Sequence, residues 1–204
     1  MVLTGFEILD ISLLAVLLVV LSYYLYKNRS KLNKEGILYL YKTSWGIKLI
    51  NFVGKKYKKT LYVLSYVSIA IGYFLMVTIV YMFGQTVFIY LTDPAITDAI
   101  KAPPIAPVIP YFPQLFGLSE FFPAFYGIYF IVAILLVATL HEFSHGIFAR
   151  RFGIKIKTTG FAFLKFFPAI FGAFVEQDEK QMTKASKFQQ MAVLSAGVFA
   201  NVIV

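Results

Sequence analysis

Residues 121–145 read FFPAFYGIYFIVAILLVATLHEFSH, and this stretch decides how the chain is interpreted. Its first 20 residues, 121–140, carry no charge, which is long enough for a helix to cross the roughly 30 Å hydrocarbon core of a bilayer. His141, Glu142 and His145 follow directly. Ionisable side chains at such a position are costly and mark functional sites by default. We therefore predict a membrane helix that carries a functional site at one end.

The composition of the whole chain is also that of a membrane protein. Of its 204 residues 59% are hydrophobic and 14% are charged, whereas soluble domains contain about 45–50% apolar and about 25% charged residues. This excludes a soluble globular domain and a disordered chain. The net charge is +9, but we expect no nucleic-acid partner for so apolar a chain. With no cysteine, the chain has no disulfide and no thiolate metal ligand.

Three further apolar segments, residues 5–26, 60–92 and 188–204, predict membrane helices. Residues 27–60 hold ten of the 19 Lys and Arg, and residues 150–187 hold another eight. Because basic loops stay in the cytoplasm, both segments are placed inside. We predict that residues 27–60 form a solvated loop with aromatic residues, Trp45 among them, at the membrane interface, and a nucleic-acid patch is the weaker alternative. The proline-rich residues 93–120 are then outside.

Residues 154–159 (IKIKTT) alternate between apolar and polar side chains, which indicates a strand. Glycines and a proline interrupt the following residues, so 154–176 predict a small sheet or hairpin. The predicted fold is mainly α: a polytopic membrane protein with about four transmembrane helices and a small membrane-associated β-sheet between the third and fourth. We divide it into an N-terminal two-span region, 1–120, and a core portion, 121–204.

The residues His141-Glu142-Phe143-Ser144-His145 form the pattern H-E-x-x-H and include both histidines of the chain. On a helix, residues four apart lie on one face, so two imidazoles can reach one metal ion. Glu142 is placed where a carboxylate can take a proton from a metal-activated water. The pattern is therefore typical of zinc-assisted amide hydrolysis. A pair of surface histidines beside an exposed glutamate is the structural alternative.

This segment resembles the first motif of the site-2 proteases, the intramembrane zinc metalloproteases. The resemblance rests on residues 141–146 (HEFSHG) with 149–153 (ARRFG), and extends over about 121–204. Residues 172–175 (GAFV) are similar to part of that family's membrane-embedded sheet. Residues 196–201 (AGVFAN) resemble its G-P-x-x-N motif, although Val198 replaces the proline.

The resemblance implies roles for particular residues. His141 and His145 would bind Zn²⁺, Glu142 would be the general base, and Asn201 would lie near the zinc and hold the substrate or stabilise the oxyanion. A polar contact between helices is the alternative for Asn201. The strands of 154–176 would either be plain architecture or add an extended substrate segment at a sheet edge.

One departure from the family concerns the third zinc ligand. Catalytic zinc takes three protein ligands, and the family's third is an aspartate in an L-D-G motif on a later span. The four aspartates here are not followed by glycine: Asp10, Asp93, Asp98 and Asp178. We therefore expect these residues to be the N-terminal portion of a longer protein that supplies the third ligand.

The sequence thus predicts an intramembrane zinc endopeptidase of the cell membrane. Its partners would be the lipid bilayer and transmembrane protein substrates, which it would cut near the cytoplasmic side. One alternative is a non-catalytic homologue that binds or transports metal or has a regulatory role. The other is a membrane-anchored H-E-x-x-H protease of another family, for which Glu176 and Glu179 are the only candidate third ligands.

Overall fold

The structure is a computed structural model that describes residues 5–93, 126–166, 168 and 171–204. Most of these residues are helical. The helices are α1 (Gly5–Lys27), α2 (Trp45–Lys56), α3 (Lys58–Thr92), α4 (Gly127–Arg151), α5 (Glu179–Lys184) and α6 (Lys187–Ile203). The strands are β1 (Leu32–Glu35), β2 (Leu38–Thr43), β3 (Ile156–Leu164) and β4 (Phe171–Gln177).

Three helices in the described part of the chain are long and apolar enough to cross a membrane: α1, α3 and α4. They have 23, 35 and 25 residues, with mean hydropathies of 2.3, 2.2 and 1.8 over their most apolar stretches. At most 11% of the residues in these stretches are buried inside the protein. Such exposed apolar surface is what lipid covers in a membrane protein.

The fourth predicted span corresponds to α6, a helix of 17 residues. It packs against α3 and α4 through small residues, and it is not among the three candidate membrane helices of the described residues. The number of four spans therefore stays a prediction. The proline-rich segment, apart from Asp93, lies outside the described residues.

The segment 27–60, which was predicted as a solvated loop between two spans, contains regular structure. Its placement in the cytoplasm stays a prediction. A short 3₁₀ turn (Arg29–Lys31) leads into a β1–β2 hairpin, which turns at Gly36 with a positive φ of 54°. The amphipathic helix α2 follows. The alternation in β2 (LYLYKT) is the signal for the strand, and the many lysines around it obscured that pattern.

The four strands form one antiparallel sheet in the order β1-β2-β3-β4. The hairpin predicted within 154–176 is confirmed as β3 and β4. The sheet also takes β1 and β2 from the earlier basic segment, with Tyr41 opposite Phe161. The division of the chain at residue 120 remains a prediction, but the sheet contains strands from both sides of it.

The core lies where α2, α4 and α6 meet the sheet. Residues of α6 that face α4 are small, among them Ala192, Ala196 and Gly197, so the two helices approach closely. The buried hydrophobic cluster consists of Ile50, Leu61, Phe148, Ala149, Ile154, Ile156, Ala192, Val193 and Ala196. This cluster fixes the last turns of α4, which carry the H-E-x-x-H residues, against α2 and α6.

At the opposite end of α4, Asp10 of α1 holds the start of the helix. Asp10 is 3% exposed, and its carboxylate accepts hydrogen bonds from the N–H groups of Gly127 (2.9 Å) and Ile128 (3.1 Å). A helix N-terminus has N–H groups without intrahelical partners and a partial positive charge, both of which a carboxylate satisfies. Asp10 is thus a structural residue far from the candidate site.

Candidate metal site

The helix α4 brings the two histidine side chains together on one face. The Nε2 atoms of His141 and His145 lie 3.1 Å apart, and the ring centroids 4.7 Å apart. Two nitrogens bonded at 2.0–2.1 Å to one tetrahedral Zn²⁺ would lie about 3.3 Å apart. The arrangement of the imidazoles is therefore compatible with a shared metal ion.

A backbone carbonyl on α6 orients His145. Nδ1 of His145 lies 2.6 Å from the carbonyl oxygen of Val193, so this nitrogen carries the proton and donates it. Nε2 of His145 is then left with a lone pair directed at Nε2 of His141. This is the outer hydrogen bond that metal-binding histidines usually have, because it fixes both the tautomer and the ring orientation.

Gly197 of α6 forms the wall opposite the two imidazoles. A Cβ atom on this residue would lie 2.5 Å from Nε2 of His141 and no farther from Nε2 of His145. Any side chain would therefore occupy the space between α6 and the two nitrogens. Gly197 belongs to the AGVFAN segment recognised in the sequence, and the close approach gives a physical reason for glycine there.

Glu142 is directed towards the sheet. Its Oε2 atom accepts a hydrogen bond from the backbone N–H of Val175 on β4, at 3.4 Å. Gly146, one turn further along α4, also faces β4, since a Cβ there would lie 2.9 Å from Cγ1 of Val175. The edge strand β4 thus runs beside the helix face that carries the carboxylate.

The described residues contain no group of three or more His, Cys, Asp or Glu side chains that could hold a metal ion. The carboxylates considered from the sequence lie elsewhere. Asp178 caps α5 by accepting from the N–H of Gln181 at 3.1 Å, and Glu176 is exposed, 4.0 Å from Nζ of Lys42. Glu179 is exposed at the start of α5. In the described part of the chain the site therefore offers two ligands and a nearby carboxylate.

Asn201 lies on α6 one turn beyond Gly197, with an exposed side chain. Its proposed role at the zinc stays a prediction. Two further groups of the candidate site are not apparent from the sequence: the carbonyl of Val193 and the N–H of Val175. Both are backbone atoms that every residue possesses, so only the packing of α6 and β4 against α4 identifies them.

Residues 129–204 match the model of Peptidase family M50, the site-2 protease family. The match confirms the resemblance inferred from the sequence, and the family implies a metallopeptidase. Uncharacterized protein MJ0971 of Methanocaldococcus jannaschii is 31% identical over 185 residues, which cover 88% of this chain and 45% of the relative. The chain thus spans about half the length of that relative. No solved structure matches the chain.

Proposed function

We propose that the protein is a zinc-dependent endopeptidase that cleaves transmembrane segments of other membrane proteins. The observation that carries the proposal is the convergence of the two Nε2 atoms at 3.1 Å, with His145 oriented by Val193. The family match supports the peptidase class, and the three apolar helices support a location in the membrane. The activity belongs to the full-length protein, in which a residue outside the described ranges would supply the third ligand.

The residues present fit a zinc ion as two of three protein ligands. His141 and His145 would hold the ion through Nε2, and Gly197 leaves the space for it. When bound, zinc would polarise the scissile carbonyl and acidify a water molecule.

Glu142 would act as the general base. Its carboxylate would take the proton of the attacking water at one oxygen, while the N–H of Val175 holds the other oxygen, Oε2. The carboxylate would later return the proton to the leaving amine. Asn201 would hold the substrate or stabilise the oxyanion, as the family resemblance implies.

The free edge of β4, which pairs with no other strand in the described part of the chain, would bind the substrate in an extended conformation. β4 pairs with β3 on one side, and the N–H of Val175 points to the other side, towards Glu142. A transmembrane helix has its scissile amides in intrahelical hydrogen bonds, so it must unwind before it is cut. Added strand pairing at β4 would compensate for the lost helix hydrogen bonds and place the peptide beside the site.

The distribution of charge supports one orientation in the membrane. The basic segments 27–60 and 150–187 would face the cytoplasm, which places the site near the cytoplasmic side of the membrane. Cleavage there would release cytoplasmic parts of membrane-anchored proteins, for example regulatory factors.

The test is the substitution Glu142→Gln in the full-length protein, assayed on membrane-anchored reporters with a single transmembrane segment. We expect cleavage to fall at least about 100-fold because the general base is lost, with folding and zinc content unchanged. Glu179→Gln, which removes an exposed charge on α5, is the matched control and should cleave normally. Undiminished cleavage by the Glu142 variant would refute the assigned mechanism.

Zinc content separates this proposal from a non-catalytic homologue. We expect about one zinc per purified full-length chain, and loss of it in the His141→Ala/His145→Ala double variant. A wild-type protein that binds no zinc would favour the inactive homologue.

A further inference from the structure

The helix α2 has an exposed apolar strip. Trp45, Leu49 and Phe52 are spaced i, i+4 and i+7, so they lie on one face, and Trp45 and Phe52 are 69% and 58% exposed. Lys48 and Lys55 border this strip on one side. An apolar strip flanked by lysines is the pattern of a helix that lies in the plane of a membrane surface.

The other face of α2 is fixed against the site helix. Ile50 is fully buried, and its Cδ1 atom lies 2.8 Å from the position that a Cβ of Gly146 would occupy. Cβ atoms on Gly46 and Gly54 would similarly come within 3.1 Å of Phe143 and 2.9 Å of Arg150. These contacts hold α2 in one rotation about its axis, so its apolar strip cannot turn inwards.

The position of α2 in the chain places it at the membrane surface. α2 ends at Lys56, and after Tyr57 the long apolar helix α3 begins at Lys58. A shallow depression beside this junction is lined by Asn51, Phe52, Lys55 and Lys56. Nζ of Lys56 lies over the rings of Phe52 (5.1 Å) and Tyr57 (5.4 Å). α2 itself contains no acidic residue, so its surface charge is complementary to phosphate groups.

We infer that α2 is an interfacial helix that binds the surface of an anionic bilayer. Trp45, Leu49 and Phe52 insert between the headgroups and the acyl chains, and the lysines bind lipid phosphates. This inference rests on the proposed membrane placement. Because α2 packs on the turns of α4 that carry the two histidines, its docking also sets the depth of the candidate site relative to the lipid surface.

The test uses Trp45, the single tryptophan of the chain, as a fluorescent reporter. The 204-residue chain is reconstituted in vesicles of phosphatidylcholine alone or of phosphatidylcholine and phosphatidylglycerol in equal parts. In the anionic vesicles we expect blue-shifted emission, strong quenching by lipids brominated on the acyl chains and protection from aqueous acrylamide. In phosphatidylcholine vesicles, and at high salt, Trp45 should be more accessible to acrylamide.

Two variants separate the contributions of charge and apolar surface. Lys48→Gln/Lys55→Gln/Lys56→Gln should remove the preference for anionic lipid, by about fivefold in the docked-to-undocked ratio per lysine. The matched control Lys180→Gln/Lys184→Gln/Lys187→Gln loses the same charge on α5 and α6 and should retain it. Leu49→Gln/Phe52→Gln should expose Trp45 in both kinds of vesicle.

The outcomes distinguish failure of this inference from failure of the membrane placement. Extraction of the chain from vesicles by alkaline carbonate would overturn both. If the chain resists extraction but brominated lipid does not quench Trp45, solvent covers α2 and the inference alone is wrong. If Trp45 is shielded equally in detergent and in both kinds of vesicle, a protein surface covers α2, and again only the inference is wrong. Free inorganic phosphate that reproduces the fluorescence change in detergent would likewise overturn the lipid assignment.

Discussion

At Gly197, α6 comes so close to both imidazoles of α4 that a side chain has no room. Three features of the site depend on this approach: the convergence of the Nε2 atoms, the hydrogen bond from His145 to Val193, and the space left beside the nitrogens. The preceding residue, Ala196, is fully buried, so the helix is close-packed beside the glycine. A substitution of Gly197 therefore tests whether metal binding requires the space opposite the histidines.

Gly197→Ala should therefore impair metal binding more than folding. The added methyl group forces α6 and α4 apart, a type of overpacking that costs about 1–3 kcal/mol of unfolding free energy. We expect the zinc affinity of the full-length protein to fall at least about tenfold. The measurements are zinc titration with a competing chelator and denaturant unfolding in micelles.

Gly84→Ala on α3 is the matched control, because a Cβ atom at that position meets no atom within 4 Å. It should leave zinc binding unchanged and stabilise the helix by up to about 1 kcal/mol. Equal zinc affinity in the Gly197 and Gly84 variants would mean that α6 does not bound the metal site.

At the residue scale, the sequence could predict only what helical spacing determines. His141 and His145 converge because residues four apart share a face, and this needs no knowledge of the rest of the fold. The partners of the site, by contrast, come from residues 30 or more positions away, as with Val175 at 33 and Val193 at 48. Such contacts depend on how β4 and α6 pack, which local periodicity does not encode.

Among the secondary-structure elements, the sheet also depends on contacts that local sequence patterns do not predict. β3 and β4 follow clear alternation and glycine punctuation, so the hairpin was predictable. β1 and β2 are short, lie among lysines and are joined by a tight turn at Gly36, and the charge count led to an interpretation as loop. The pairing of β2 with β3 joins residues that are far apart in the chain; Thr43 and Thr159, for example, are 116 positions apart. No local sequence pattern predicts such a pairing.

The free edge of β4 leads to a prediction about substrate binding. Successive residues of a strand direct their N–H groups to opposite edges, so Ala173 shares the free edge with Val175. Ala173→Pro in the full-length protein removes one donor from this edge but none from the β3 pairing, and edge strands tolerate such a proline. We expect kcat/KM on transmembrane reporters to fall about tenfold, the effect of one hydrogen bond, with zinc content unchanged.

A proline at the neighbouring residue, Phe174, should have a different effect from a proline at Ala173. The N–H of Phe174 faces β3, opposite Gly160, so Phe174→Pro should disrupt the sheet and lower stability as well as activity. Full activity of a folded Ala173→Pro variant would show that substrate does not pair with β4.

For the whole molecule, the sheet leads to an expectation about topology that is independent of charge. β1 and β2 precede α3, whereas β3 and β4 follow α4, yet all four strands form one sheet. We therefore expect the two basic segments to lie on the same side of a membrane, which is the arrangement that the distribution of Lys and Arg also predicts. Asp10 contacts the first residues of α4, at the end of this helix that is remote from the two histidines.

Because the chain contains no cysteine, single introduced cysteines can test this arrangement directly. Lys34→Cys on β1 and Lys184→Cys on α5 replace exposed residues of the two basic segments, and Gly5→Cys marks the start of α1. In intact cells a membrane-impermeant maleimide should label only the Gly5 variant, and in inverted vesicles it should label the other two. Labelling of Lys34→Cys and Lys184→Cys from opposite sides would contradict the sheet itself. Labelling of both from outside would leave the sheet intact but reverse the orientation, and the candidate site would then open to the exterior, where it could not release cytoplasmic fragments.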